Sequence, residues 1–197
     1  ILLDDYVMPA SPKMNPLTTD EIYRGLLGMS EIETYRTSYW SLVDAALGGR
    51  KAGGVFVDKM PLNTILLPVI YRLFPEARIL FSIRDPRDVV VSCFQQRFGM
   101  NAAMYQLLQL DTTVHYYDAV MRLGQAARGA LPLAVHEVRY EALTADFDAT
   151  VRDTLTFLDL AWSESVRDYA ATARQRTIAT PSASQVAATS TSASIRC

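Results

Sequence analysis

The segment from residue 54 to residue 94 constrains the fold most, because its pattern changes from strand to helix and back. GVFVDK (54–59) is a short β-branched run, NTILLPVIYRLF (63–74) is an apolar run of helix length, and ARILFSI (77–83) is an apolar run of strand length. Strand, helix and strand in this order are typical of a parallel βαβ unit, whose buried strands read as nearly continuous apolar runs. The sequence therefore predicts an α/β domain with a central parallel sheet.

The rest of the chain continues the alternation of helix and strand. We expect a helical pair with a break near Gly28 and a stop at Gly48-Gly49, a helix after Pro86, and further elements at 103–128 (helix), 133–140 (strand) and 147–173 (one or two helices).

The last part of the chain differs in composition from the rest. From Thr177 onward it consists mainly of Ala, Ser and Thr, which cannot supply a core. We therefore predict one three-layer α/β domain over residues 1–179, followed by a loop or tail over residues 180–197.

Composition excludes several classes of function. The chain has 197 residues, of which 50% are hydrophobic, and its formal charge of -2 gives no general attraction to nucleic acid or acidic membranes. Its two cysteines, Cys93 and Cys197, and its two separated histidines fit neither a disulfide framework nor a metal cluster. No leader or membrane-spanning run is visible. The sequence predicts a cytoplasmic protein without metal, nucleic acid or membrane as partner.

The charged sequence RDPRD (84–88) stands where the second predicted strand becomes a helix. Ligands of parallel sheets bind beyond the carboxyl ends of the strands, where helix N-termini favour anions. Arg84 lies at such an end, and Ser92 follows about two helical turns later, so a guanidinium and a hydroxyl could share one phosphate group. In the alternative interpretation these charges only cap the helix and pair with each other. Spacing alone leaves both open.

Lys59 is a second candidate, because VFVDK also places a cation just beyond a predicted strand. A lysine there could stabilise charge that develops on a leaving oxygen, although a solvated surface lysine is the simpler interpretation. The sequence contains no GxxxxGK[ST], which argues against a P-loop nucleoside triphosphatase.

Five stretches together resemble the sulfotransferase family, and most of all bacterial sulfotransferases that are fused to tetratricopeptide repeats and are related to protein-tyrosine sulfotransferases. They are DKMPLN, FPEARILFSIRDPRDVVVSCF, HYYDAVM, LPLAVHEVRYEAL and TPSASQV, and they run in order from Asp58 to Val186. The resemblance implies a three-layer fold like that of P-loop NTPases. It also implies the sulfuryl donor 3′-phosphoadenosine 5′-phosphosulfate (PAPS) and a hydroxyl or amine acceptor, such as a protein tyrosine or a small molecule.

The resemblance also implies roles for single residues. Arg84 and Ser92 match the pair that holds the 3′-phosphate of the donor, and Lys59 matches the lysine near the bridging oxygen. Tyr140 and Ser182 match residues that contact the donor.

A base for the acceptor proton is harder to assign. Relatives carry a Glu in stretches like LDE, and Leu3-Asp4-Asp5 stands here, so Asp5 is the candidate base. His115 and His136 are weaker alternatives.

The first strand of the family and its PRSGTT-like phosphate loop do not occur in this sequence. We therefore expect a fragment that is inactive alone, with tetratricopeptide repeats as a possible upstream partner. Two alternatives stay open: a degenerate nucleotide-binding or interaction module on the same fold, and a relative of phosphate-transferring kinases.

Overall fold

The computed structural model describes residues 32–49, 54–96, 98–99 and 101–168. Within them, two parallel strands are combined with helices, as an α/β domain requires. The elements are α1 (Ile32–Leu47), a 3-10 helix (Pro61–Leu66), α2 (Leu67–Leu73), β1 (Arg78–Ile83), α3 (Pro86–Gln95), α4 (Ala102–Tyr105), α5 (Leu110–Ala130), β2 (Ala134–Arg139), α6 (Tyr140–Ala145), α7 (Phe147–Phe157) and a second 3-10 helix (Glu164–Asp168). The predicted tail, residues 180–197, lies outside the described residues.

Helix α1 ends at the two glycines that the sequence indicates as a stop. Gly48 and Gly49 have φ values of 67° and 100°, a backbone region that side chains with a Cβ rarely adopt. The Gly49 N–H donates to the Asp44 carbonyl at 2.8 Å, which closes the last turn.

The apolar run 63–74 is helical despite its proline, because the helix changes type at that point. The 3-10 helix begins at Pro61, and Pro68 lies in the first turn of α2. N–H groups of a first turn have no partner within the helix, so a proline there costs no hydrogen bond. The Phe74 N–H then donates to the Ile70 carbonyl at 2.7 Å, and Pro75 follows where the helix ends.

The described residues fall into two compact units. The first contains residues 32–77 and 120–134, and its buried centre is formed by α2, where Leu67 and Leu73 are 2% and 3% exposed. Apolar side chains of α1 and of the ends of α2 pack against Val69 and Leu73; they are Ile32, Tyr35, Leu66 and Phe74. An aromatic cluster, with ring centroids 5.1–6.4 Å apart, is formed by Tyr39, Trp40, Phe56 and Phe74.

The second unit contains residues 78–119 and 135–168 and includes the sheet. Its buried apolar side chains include Phe81 of β1 and Val90 of α3. Arg78 at the start of β1 forms an ion pair with Asp159, which follows α7.

The C-terminal part of this unit is held by a tryptophan between two arginines. The Arg152 and Arg167 guanidinium carbons lie 3.8 and 5.4 Å from the centroid of the Trp162 ring. The indole N–H donates to the Glu164 carboxylate at 2.8 Å. Arg167 also pairs with Asp148 of α7, so these contacts join the second 3-10 helix to α7.

The prediction of a strand over 54–59 is wrong for the described part of this segment. Residues 54–60 have no regular secondary structure, and Val55 and Val57 are 63% and 71% exposed. A β-branched run becomes a strand only when its N–H and C=O groups pair with a neighbouring strand, and the sheet of the described residues contains β1 and β2 alone.

In the described part of the chain, no helix combines the length and the apolar character that crossing a bilayer requires.

Candidate functional site

The ends of the two strands bring distant parts of the sequence together. β1 and β2 are parallel neighbours, so their carboxyl ends lie at the same edge of the sheet. Arg84 follows β1, and Tyr140 follows β2 as the first residue of α6, one residue beyond the strand in which the sequence analysis placed it. Two of the residues with expected donor contacts are therefore neighbours in space.

The Arg84 guanidinium lies over the Tyr140 ring, with 4.7 Å between the guanidinium carbon and the ring centroid. The Asp88 carboxylate accepts hydrogen bonds from the Arg84 Nε at 3.3 Å and from the Arg84 Nη2 at 3.0 Å. The Arg84 side chain is 28% exposed. A guanidinium has five N–H donors, and Asp88 accepts from two of them, so this arrangement orients the group without exhausting its donors.

Asp85 caps helix α3. Its carboxylate accepts from the Arg87 backbone N–H at 2.9 Å, and Pro86 stands at the first helical position. The Arg87 side chain donates to both carboxylate oxygens, at 3.0 and 2.6 Å. These hydrogen bonds lower the pKa of the Asp85 carboxyl to about 2.

The simpler interpretation of RDPRD is therefore confirmed as local structure: its charges do cap the helix and pair with each other. Of the two arginines, Arg87 is far more exposed, with 88% of its side chain accessible. The pairing leaves the phosphate role of Arg84 as a prediction, because a paired arginine can still donate to an anion.

Ser92 is half-buried in α3. It lies four residues after Asp88, so the two side chains share a face of the helix one turn apart. Because Asp88 binds Arg84, the hydroxyl of Ser92 lies on the side of the helix that carries this ion pair. A direct contact between Arg84 and Ser92 is absent from the described hydrogen bonds.

Lys59 lies in the other compact unit, in the exposed segment 54–60. The preceding residue, Asp58, accepts a hydrogen bond from the Tyr39 hydroxyl at 2.8 Å. Burial and this carboxylate raise the pKa of Tyr39 well above its usual range. Asp58 thus ties the segment to α1 immediately before the lysine.

The remaining candidates have other surroundings. His115 is exposed on α5. His136 of β2 stacks on Phe157 with ring centroids 5.2 Å apart, and its Nε2 lies 3.4 Å from the Thr154 hydroxyl, which is a packing environment. The candidate base Asp5 and the candidate donor contact Ser182 lie outside the described residues. Within the described ranges, no group of three or more His, Cys, Asp or Glu is placed to hold a metal ion.

Sequence reasoning missed Glu141 and Tyr117. One carboxylate oxygen of Glu141 accepts the Asp85 backbone N–H at 2.8 Å. The pKa of Tyr117 on α5 is raised by burial and by the negative charge of Asp85. The sequence contained a signal for Glu141, because an acidic residue at the start of a helix after a strand lies near backbone N–H groups. It contained no signal that places Tyr117 near Asp85.

The comparisons with known proteins agree with these motifs. A family model described as "Sulfotransferase family" matches residues 28–164, a range that contains Lys59, Arg84, Ser92 and Tyr140. A protein of Aquifex aeolicus (strain VF5), described as "Uncharacterized protein", is 29% identical over 134 residues. That alignment covers 66% of this chain and 17% of the relative, so it accounts for a small part of the longer protein.

Proposed function

Because the chain belongs to the sulfotransferase family, we propose that it takes part in the transfer of a sulfuryl group from PAPS to a hydroxyl or amine acceptor. The observation that carries the proposal is the position of Arg84. A forked donor stands at the carboxyl end of a parallel strand, inside the matched region, against the ring of Tyr140. The proposed fold is the three-layer, P-loop-NTPase-like fold of sulfotransferases.

The described residues at this strand end fit the 3′-phosphate of the donor. Arg84 supplies N–H groups in a planar fork, which suits a tetrahedral anion with several acceptor oxygens. Helix α3 begins two residues later and has ten residues, so its N-terminal dipole adds a favourable field for negative charge. Ser92 lies on the Asp88 face of this helix and supplies a further hydroxyl donor.

Each residue has one task in the proposed reaction. PAPS supplies the sulfuryl group and leaves as adenosine 3′,5′-bisphosphate. Arg84 and Ser92 hold the 3′-phosphate, and Tyr140 and Ser182 contact the donor. Lys59 neutralises charge on the bridging oxygen as its bond to sulfur breaks. The acceptor oxygen or nitrogen bonds to sulfur and loses a proton, for which Asp5 is the proposed base.

The test compares two nucleotides that differ in the 3′-phosphate. Adenosine 3′,5′-bisphosphate should bind the chain more tightly than 5′-AMP does in titration calorimetry. Arg84→Ala should remove most of that difference, because charge-assisted hydrogen bonds contribute about 1.5–3 kcal/mol. Equal losses for both nucleotides would contradict the 3′-phosphate assignment. Because the sequence contains no PRSGTT-like phosphate loop, selective binding without transfer to a panel of phenols and amines is the expected result for this chain, and measurable transfer from PAPS would contradict that expectation.

A further inference from the structure

Glu141 makes a long-range contact to the main chain beside Arg84. Its Oε1 accepts the backbone N–H of Asp85 at 2.8 Å, although the two residues are 56 positions apart in sequence. The N–H belongs to the peptide group that joins Arg84 to Asp85. This peptide group is planar and includes the Arg84 Cα. A hydrogen bond to its N–H therefore restrains the orientation of the main chain from which the Arg84 side chain extends.

A second contact runs in parallel with the first. Tyr140, which precedes Glu141, lies under the Arg84 guanidinium. Tyr140 and Glu141, which follow β2, therefore contact Arg84 and Asp85, which follow β1. Tyr140 contacts the side chain of Arg84, and Glu141 binds the main chain of Asp85. The side-chain hydrogen bonds of the RDPRD loop from Arg84 to Asp88 and from Arg87 to Asp85 stay within the loop itself.

We propose that Glu141 is a positioning residue for the phosphate site, which sets the direction of Arg84 through the Asp85 amide. The inference rests on the proposed function, in which Arg84 holds the 3′-phosphate of the donor. Glu141 itself is exposed and carries the same charge sign as a phosphate, so direct contact with the ligand would be repulsive. A carboxylate oxygen is a stronger acceptor for a backbone N–H than a neutral oxygen is.

The charge of Glu141 makes the test decisive, because two explanations predict opposite signs. If Glu141 is only an acidic neighbour, its removal should strengthen anion binding by relieving repulsion. If it positions Arg84, its removal should weaken binding. Glutamine keeps an oxygen acceptor of the same reach without the charge, so it separates the hydrogen bond from the electrostatic effect.

The experiment measures the affinity of the 197-residue chain for adenosine 3′,5′-bisphosphate and for 5′-AMP by titration calorimetry. Glu141→Ala should weaken bisphosphate binding about fivefold or more and change 5′-AMP binding less than about twofold, since only the first uses Arg84. Glu141→Gln should restore most of the affinity. Glu76→Ala, which alters an exposed glutamate in the turn before β1, is the matched control and should change neither.

A double-mutant cycle with Arg84→Ala distinguishes positioning from a general loss of stability. In the Arg84→Ala background, Glu141→Ala should have no further effect on bisphosphate binding, because the group that it positions is gone. Additive losses, tighter binding by Glu141→Ala, or equal losses for the two nucleotides would each overturn the inference.

Failure of the proposed function would look different. It would appear as bisphosphate affinity that Arg84→Ala leaves unchanged, or as no binding by the unmutated chain. The Glu141 contact is then judged without ligand, by NMR. Glu141→Ala, but not Glu141→Gln, should accelerate hydrogen exchange of the Asp85 amide and shift the Arg84 Nε–H signal. An unchanged amide and an unchanged Arg84 signal would overturn the positioning role.

Discussion

Two segments of this chain place a basic residue beyond a β-branched or apolar run, yet only one of the two runs forms a strand. Arg84 follows β1, is bound by Asp88 and lies on Tyr140. Lys59 follows a run whose valines are mostly exposed. The difference shows that a strand-like run positions a side chain only when another strand pairs with it. In the described residues β1 has that partner in β2, and residues 54–60 have none.

The sharpest test of this comparison is a pair of core and surface truncations. Phe81 of β1 is 5% exposed and Val57 is 71% exposed. Phe81→Ala should lower the free energy of unfolding by about 3–5 kcal/mol, because it leaves a cavity in the second unit. Val57→Ala should change it by less than about 0.5 kcal/mol. Urea denaturation measures both. A large loss at Val57 would mean that the 54–60 segment is buried in solution.

A second test compares the two cations as ligands of the nucleotide. Arg84→Ala should weaken binding of adenosine 3′,5′-bisphosphate by about 10- to 100-fold, the range of a charge-assisted hydrogen bond at a half-buried site. Lys59→Ala should leave the ratio of bisphosphate affinity to 5′-AMP affinity unchanged, since its proposed partner is the bridging oxygen, which both nucleotides carry on the 5′-phosphate. A fall in that ratio for Lys59→Ala would place Lys59 at the 3′-phosphate and remove the distinction between the two segments.

A third test removes the hydrogen bond that ties Lys59's segment to α1. Tyr39→Phe deletes the hydroxyl that donates a hydrogen bond to Asp58, and this should lower the free energy of unfolding by about 1 kcal/mol.

The pH dependence of this effect follows from the raised pKa of Tyr39. The neutral phenol is favoured in the folded chain, so the contribution is complete below pH of about 10, where unfolded tyrosine begins to ionise, and is lost as the pH rises further. The difference between the unmutated chain and Tyr39→Phe should therefore shrink above that pH. A constant difference would show that the hydroxyl acts by packing alone.

The smallest expected effect concerns Asp85 and Arg87, which are paired at the surface. Arg87→Ala should raise the pKa of the Asp85 carboxyl from about 2 towards its ordinary 3.8. The depressed pKa stabilises the fold above pH of about 3.8, and this contribution is lost as the pH falls towards 2. An NMR titration of the Asp85 carboxyl carbon gives the pKa directly. Asp148, which Arg167 holds in the same way, should not move.

The order of the elements after residue 60 could be predicted because their signals are local. Pro86 and Asp85 predict the start of α3, Gly48-Gly49 predicts the end of α1, and the apolar run 77–83 predicts β1. The pairing within RDPRD also follows from spacing, since partners two and four residues apart meet at a helix start.

The contacts that sequence reasoning could not supply are long-range ones. The N–H of Asp85 donates to Glu141, and the Arg84 guanidinium lies over the Tyr140 ring. The members of each pair are 56 positions apart in sequence and meet because the sheet places the two strand ends side by side. A single sequence contains no signal for which strands pair, and the same gap explains the wrong strand at 54–59. Their positions at or after predicted strand ends supplied the candidates Arg84, Ser92 and Lys59, and resemblance to a family added Tyr140, but neither indicated the long-range contacts that hold Arg84.

The tryptophans provide each unit with its own optical reporter. The chain has two, and Trp40 lies among aromatic rings of the first unit, while Trp162 is flanked by the guanidinium groups of Arg152 and Arg167 in the second. Trp162→Phe leaves a fluorophore that monitors the helix α1 region, and Trp40→Phe leaves one that monitors the C-terminal region. Coincident denaturation curves from the two variants would mean that the units melt as one cooperative body, and separated curves would give each its own midpoint.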